Sequence, residues 1–120
     1  MTKVIVTDID GTLADIEHRR AFVRNKPKNW PAFNRAMVND GPHDDIMWLY
    51  KMLAAQPDTV MLIASGRNVD DKDVTETWLA AYGIVYKQLY MRPSKDYRAD
   101  NLIKREILDQ ITADWGVPYL

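Results

Sequence analysis

The chain has 120 residues, 47% of them hydrophobic and 28% charged, with a net charge of −1 and no cysteine. That balance describes one domain able to bury an ordinary core; it excludes a disordered tail, disulfides, thiolate metal sites and cysteine nucleophiles, and it offers no global attraction for nucleic acid or membrane. With no leader-like segment, and with its longest clean apolar run (Val60–Ala64) far too short to span a bilayer, the sequence reads as cytoplasmic.

Lys3 to Ile9 is predicted to be a buried strand, β-branched over Lys3 to Thr7. The next stretch, about Ala14 to Pro42, is irregular, basic and aromatic, with prolines at 27, 31 and 42 and a short helix expected over Ala32 to Val38. Asp44 or Asp45 can cap an amphipathic helix that turns Ile46, Leu49, Tyr50 and Leu53 inward and is broken at Pro57-Asp58. A second buried strand, Thr59 to Ala64, ends in Ser65-Gly66-Arg67. Asp71 or Asp73 opens a helix with Val74, Trp78, Leu79 and Tyr82 inside, closed by Gly83. Ile84 to Tyr86 and Leu89 to Met91 read as short strands, and Asp100 caps a last helix with Leu102, Ile103, Ile107, Leu108 and Ile111 inward. Gly116-Val117-Pro118-Tyr119-Leu120 then reads as the beginning of one more parallel strand. Strands alternating with helices imply parallel β-α-β units. No internal repeat or low-complexity stretch interrupts the pattern.

Chemistry concentrates at two strand ends. Asp8 and Asp10 stand two apart at the end of the first strand, so they share a face and look into one crevice, where ligands of open parallel sheets bind. Two adjacent carboxylates repel unless a cation lies between them or one is protonated, which outlines a metal-assisted centre. Two solvated residues opening a loop are the plainer reading of the same pair. At the end of the second strand Ser65 and the N–H groups around Gly66 can face an anion, and Arg67 can grip phosphate with a planar fork. Here the alternative is an ordinary strand-to-helix turn.

From Arg19 to Lys28 five basic residues (Arg19, Arg20, Arg24, Lys26 and Lys28) run without an acidic one, followed by Trp30 and Phe33. Such a stretch suits a nucleic-acid backbone and a stacked base, or else is a solvated charge run. His18 and His43 lack metal-ligand spacing and read as polar loop residues, and Met47, Trp48 and Met52 read as core and helix surface.

The string Asp8-Ile9-Asp10-Gly11-Thr12-Leu13 after a hydrophobic strand, with Ser65-Gly66-Arg67 some fifty-five residues later, resembles the first two motifs of the haloacid-dehalogenase-like (HAD) phosphohydrolases. Arg19, nine residues after Asp10, and the run from Arg98 through Asp100 to Lys104 bring the resemblance closer to the 3′-phosphatase domains of bacteriophage polynucleotide kinase/phosphatases. The resemblance implies a three-layer Rossmann-like α/β domain over residues 1–120, with a small cap or lid at 14–42. It also implies a Mg²⁺-dependent phosphatase acting on 3′-phosphorylated polynucleotide ends, in which Asp8 is the nucleophile, Asp10 the general acid/base, and both bind the metal. Ser65 and Lys104 would hold the phosphoryl group, with Lys95 the competitor for Lys104 and a solvated helix lysine the plain alternative. Gly66, Arg67, Arg19 and Asp100 would serve substrate binding.

No G-x-x-x-x-G-K-[ST] loop is present, so 5′-phosphorylation is not expected. The acidic pair that the superfamily carries on a further strand is also missing. Asp109 and Asp114 have a tempting spacing but belong to a helix pattern that puts them in solvent. The chain is therefore expected to be C-terminally truncated, with a sheet edge that invites self-association. A nucleotide monophosphatase, or a non-catalytic split fragment that binds phosphate or a partner chain, are the alternatives.

Overall fold

In the computed structural model, which describes residues 2–24 and 26–120, β1 (Lys3–Thr7), β4 (Thr59–Asn68) and β5 (Gln88–Arg92) form a parallel sheet in the order β1-β4-β5. Val4 pairs with Val60 and Val6 with Leu62 across β1 and β4. Side chains alternate faces along each strand, and both faces are apolar, as a sheet covered on both sides requires. Ile5, Met61 and Ile63 pack with Met47 and Tyr50 of α3 (Asp44–Ala54) and with Trp78 and Leu79 of α4 (Lys72–Ala81). Val4, Leu62, Ala64 and Tyr90 pack with Ile103, Ile107 and Ile111 of α5 (Asp100–Trp115). The result is helix, sheet, helix: the three-layer α/β fold expected from the alternation of elements.

Several local expectations are corrected. Residues Ile84 to Tyr86 form no strand; Ile84 is buried, but as a loop residue whose N–H caps α4 through Leu79 O (3.0 Å). β4 runs on to Asn68 rather than stopping at Ala64, with a register irregularity between Ala64 and Asn68. Leu49 of α3 and Leu102 and Leu108 of α5 are exposed, because each helix turns inward a narrower stripe than the apolar pattern suggests: Met47 and Tyr50, and Ile103, Ile107 and Ile111.

The segment 14–42 is more regular than its composition implies. It holds β2 (Ala14–Asp15), α1 (Glu17–Arg24), α2 (Trp30–Arg35, capped by the Asn29 side chain on Ala32 N), a 3₁₀ turn at Ala36–Asn39, and β3 (Gly41–Pro42) paired antiparallel with β2. Asn25 lies outside the described residues. Helix α1 was hidden by its composition: the charged run that fills it has only Ala21, Phe22 and Val23 as apolar content.

The last residues form no strand of their own, but they reach β1 through backbone hydrogen bonds. After Gly116, at φ +94°, ends α5, Tyr119 N donates to Val4 O (2.7 Å). Leu120 then lies parallel to β1, with its carbonyl accepting from Val6 N at 2.9 Å. These residues occupy the edge of β1 that was expected to stand open.

Candidate active site

The carboxyl ends of β1 and β4 meet at a cleft of ≈ 620 Å³. Asp8, Asp10, Gly66, Arg67, Asp100 and Lys104 all line it; Ser65 and Arg19 lie behind it. One rim comes from the 14–42 segment, with Trp30, Phe33 and Met37, and the other from the loop after β5, with Asp96, Tyr97 and Arg98.

Asp8 is the first residue past β1. Its Oδ1 accepts from Ile9 N (2.7 Å), and its Oδ2 accepts from Lys104 Nζ (2.6 Å). Lys104 arrives because its neighbour Ile103 is buried under the sheet, which fixes the rotation of α5. Nζ also reaches Asp100 Oδ2 one turn earlier (3.1 Å). Desolvation, the largest influence on Lys104, favours the neutral amine. The hydrogen bonds and charges of Asp8 and Asp100 outweigh it, and the lysine pKa lies above its ordinary value. Lys104 rather than Lys95 thus contacts Asp8.

Asp100 does not cap its own helix through its side chain, as the sequence suggests. Its carboxylate lies over Gly66 and within 3.6 Å of Arg92 Nη2, and a Cβ at position 66 would overlap Asp100 Oδ1.

Asp10 is set by a buried ionic cluster. Its Oδ1 accepts from Arg19 Nη2 (2.9 Å), Arg67 Nε (3.0 Å) and Arg67 Nη2 (2.7 Å). Behind it the fully buried Asp40 accepts from Arg19 Nε and Nη2 (2.8 Å each) and from Arg67 Nη2 (3.0 Å). Two carboxylates and two guanidinium groups therefore alternate in a neutral cluster. The arrangement satisfies each buried charge, the condition under which such charges are tolerated.

Arg67 had been expected to hold out a free fork to phosphate. Instead its remaining Nη1 protons go to Thr75 Oγ1 (3.2 Å) and Met37 Sδ (3.6 Å), so all five N–H groups have protein acceptors. Asp10 Oδ2 has no hydrogen-bond partner among the described residues.

Arg19 is fully buried, with its guanidinium 4.3 Å from the Phe33 ring centroid. Ser65 is likewise buried; its Oγ accepts from Arg67 N (3.0 Å), which shapes the β4 irregularity. His18 is not a loop residue: it lies on α1, with Nε2 2.6 Å from Asp40 Oδ1. Asp40 and Arg92 escaped the sequence reading, since a lone Asp between elements or a lone Arg at a strand end carries no spacing signal. Asp109 and Asp114 both sit on α5, where Asp114 accepts from Tyr90 O–H (2.8 Å).

Among the described residues no group of three or more acidic or histidine side chains converges. What a hard cation is offered is the Asp8 carboxylate with the Asp10 backbone carbonyl, which leaves Asp10 Oδ2, unpartnered among the described residues, for a proton. Mg²⁺ is commonly held by one or two carboxylates together with waters and substrate phosphates, and this donor set fits that mode.

The parallel three-layer sheet with an aspartate pair at its carboxyl edge defines a HAD-like fold. More closely, the chain belongs to the family of the polynucleotide kinase PNKP phosphatase domain, whose model matches residues 2–119. It is 29% identical over 108 residues to a putative bifunctional polynucleotide kinase/RNA ligase of Autographa californica nuclear polyhedrosis virus, covering 89% of this chain and 14% of that protein. Two solved Pnkp1/Rnl/Hen1 assemblies, one described as an RNA repair complex, contain chains that superpose with TM-scores of 0.70 and 0.68 at 31% identity. Each superposition covers 91% of this chain, and 31% and 34% respectively of the solved ones. The chain thus spans between 14% and 34% of the length of these relatives. No helix among the described residues is long and apolar enough to cross a membrane.

Proposed function

We propose that the chain is a Mg²⁺-dependent phosphomonoesterase that removes phosphate from the 3′ ends of polynucleotides in the cytoplasm, through an aspartyl-phosphate on Asp8. The observation that carries this reading is the division of labour between two carboxylates two residues apart. Asp8 has one oxygen on a lysine at the cleft wall, while Asp10 has one oxygen locked by three N–H donors and the other unpartnered.

In this reaction Asp8 attacks phosphorus, forming the acyl-phosphate bond as the ester P–O bond breaks. Asp10 gives its proton to the departing 3′ alkoxide. The donors on Oδ1 leave Oδ2 as the oxygen that can carry that proton. Asp10 then takes a proton from water, which attacks the phospho-enzyme and returns Asp8. Lys104 neutralises charge on Asp8 and on the phosphoryl oxygens. The Asp8 carboxylate and the Asp10 backbone carbonyl would hold Mg²⁺, which would lower the repulsion between the entering phosphate and the carboxylates. Ser65 supports the site through the β4 backbone, and Arg19 and Arg67 orient Asp10.

One observation favours a smaller substrate. Arg20 and Arg24 both pair with Glu17 (3.1 and 2.8 Å), which reduces the positive charge available to a polynucleotide backbone. A nucleotide monophosphatase is therefore the second reading. Phosphate release from a 3′-phosphorylated oligonucleotide, a 3′-mononucleotide and a 5′-mononucleotide, each with Mg²⁺ and with chelator, separates the two. A higher kcat/KM on the oligonucleotide supports the first reading. Equal or better turnover of mononucleotides overturns it, and full activity in chelator removes the metal.

A further inference from the structure

The rim after β5 presents one aromatic side chain with no structural duty. Tyr97 is 88% exposed, the most exposed of the large apolar and aromatic residues among those described, yet it lines the cleft that holds Asp8. The backbone beneath it is fixed. Arg92 Nη1 donates to the carbonyls of Asp96 (3.0 Å) and Arg98 (2.6 Å), the residues on either side of Tyr97. Arg98 in turn clamps Asp96 (2.7 Å) and Glu106 (2.6 Å) with a two-sided fork. A turn closed by Asp96 N on Pro93 O (3.2 Å) and a Ser94–Asp70 hydrogen bond (2.9 Å) complete the brace. An unpartnered ring on a backbone pinned at both flanks is pre-ordered for a ligand, because little freedom remains to be lost on binding.

The opposite rim carries the complement. Trp30, half exposed, lines the same cleft and is held edge-on against Phe33 (5.5 Å between centroids, 89° between planes). Phe33 is fixed in turn by the buried Arg19 beneath it. The cleft volume falls within the range of small-molecule sites, ≈ 300–1,000 Å³. A flat, apolar, π-faced group entering between these rims, with an anionic group at Asp8, has the shape of a nucleotide.

We infer that Tyr97 and Trp30 form a stacking subsite for the nucleobase of the terminal, phosphate-bearing nucleotide. It rests on the phosphatase reading above and adds to it: the chain selects ends that carry a base over abasic ends of the same charge, and does so without reading base identity, since every base has a π face.

The test separates the subsite from the reaction. Binding to the full chain carrying Asp8→Asn is measured by fluorescence anisotropy for two 3′-phosphorylated oligonucleotides, one with a normal terminal nucleotide and one with an abasic terminal residue. The base-bearing oligonucleotide is expected to bind roughly tenfold more tightly, within the span measured for single stacked bases. Tyr97→Ala and Trp30→Ala should each erase most of that ratio, and Tyr97→Phe should keep it. Equal affinities, or a ratio that survives Tyr97→Ala, overturn the subsite. Failure of the unsubstituted chain to release phosphate from the base-bearing end, with the binding ratio intact, overturns the phosphatase reading and leaves the subsite standing. Binding of neither oligonucleotide overturns both.

Discussion

Replacing Asp40 by asparagine strikes the cluster behind Asp10 without touching the cleft. The Asp40 carboxylate receives three arginine N–H bonds and lies 2.6 Å from His18 Nε2, all within 3.0 Å. An amide keeps one acceptor oxygen and turns two N–H groups toward donors, so at least one arginine contact becomes repulsive. Arg19 and Arg67 are then left sharing a single carboxylate, Asp10. Breaking a buried ion pair by removing one partner costs about 3–5 kcal/mol, against a total of about 5–15 kcal/mol for a domain. At about 4 °C per kcal/mol for a domain of this size, the melting temperature should fall by roughly 12–20 °C. Urea unfolding reads the loss at constant m value. Activity should also fall, measured well below the variant's melting temperature: with Arg19 and Arg67 no longer braced from behind by Asp40, Asp10 presents Oδ2 in a less fixed direction. The expected drop in kcat is roughly 10-fold or more, with KM little changed. A loss under about 1 kcal/mol with an unchanged kcat would refute the argument that this cluster positions Asp10.

Asp8→Asn should abolish turnover while leaving the melting temperature within a few degrees, because the amide still accepts from Ile9 N but cannot form the phospho-enzyme; measurable burst or steady-state phosphate release by the folded variant would count against it. Gly66→Ala should keep the fold, since the overlapping group is the end of a flexible side chain, but should displace Asp100 from Lys104 and lower kcat/KM, whereas Gly66→Ala with Asp100→Ala should relieve the clash; two equally stable but fully active variants would contradict it. Asp96 has its pKa lowered to about 2, chiefly by hydrogen bonds from Arg98. A depressed carboxylate contributes stability that is complete above its ordinary value of 3.8 and disappears as pH falls through about 2, so the Tyr97 loop should keep its order at pH 5, and a carboxyl carbon titration by NMR checks the midpoint. Lys104 shows the opposite sign: its pKa is raised, so its contribution is complete below its ordinary value of 10.5 and declines only as pH rises through its higher folded value. The effect of Lys104→Met on stability should therefore be the same at pH 6 and pH 9.

What the sequence makes legible follows the range of the forces involved. The layers were readable because continuous apolar strand runs, as in Val4-Ile5 and Leu62-Ile63, and period-3.6 helix patterns report burial directly. Asp8 and Asp10 were readable as a pair because residues two apart at a strand end share a face, whereas Lys104 was reached only through its resemblance to a family motif. The partners of Arg67 were not. Its five N–H groups end on Asp10, Thr75 and the neighbouring Met37 and Asp40, from three separated segments, and only the packed chain determines whether a guanidinium points outward at a ligand or inward at a carboxylate. Helix α1 was concealed for a related reason: it is held to the molecule through Arg19 and His18 on Asp40, an ionic anchorage that hydrophobic periodicity does not register. The exposed leucines at 49, 102 and 108 mark the converse, apolar residues that follow the helical spacing without being drawn into the core.

The cleft is electrically self-cancelling: Asp8, Asp10, Asp96 and Asp100 on its walls face Arg67, Arg92, Arg98 and Lys104. A phosphate dianion arriving there finds no standing positive excess, and a divalent cation arriving alone finds no standing negative one. Each supplies the counter-charge the other lacks, so their binding free energies are coupled, and by thermodynamic reciprocity each must tighten the other by the same factor. A centre of this kind works as a coincidence detector. It stays quiet toward ion or ester alone and responds to the pair, which keeps two neighbouring carboxylates from capturing stray cations between encounters with a substrate.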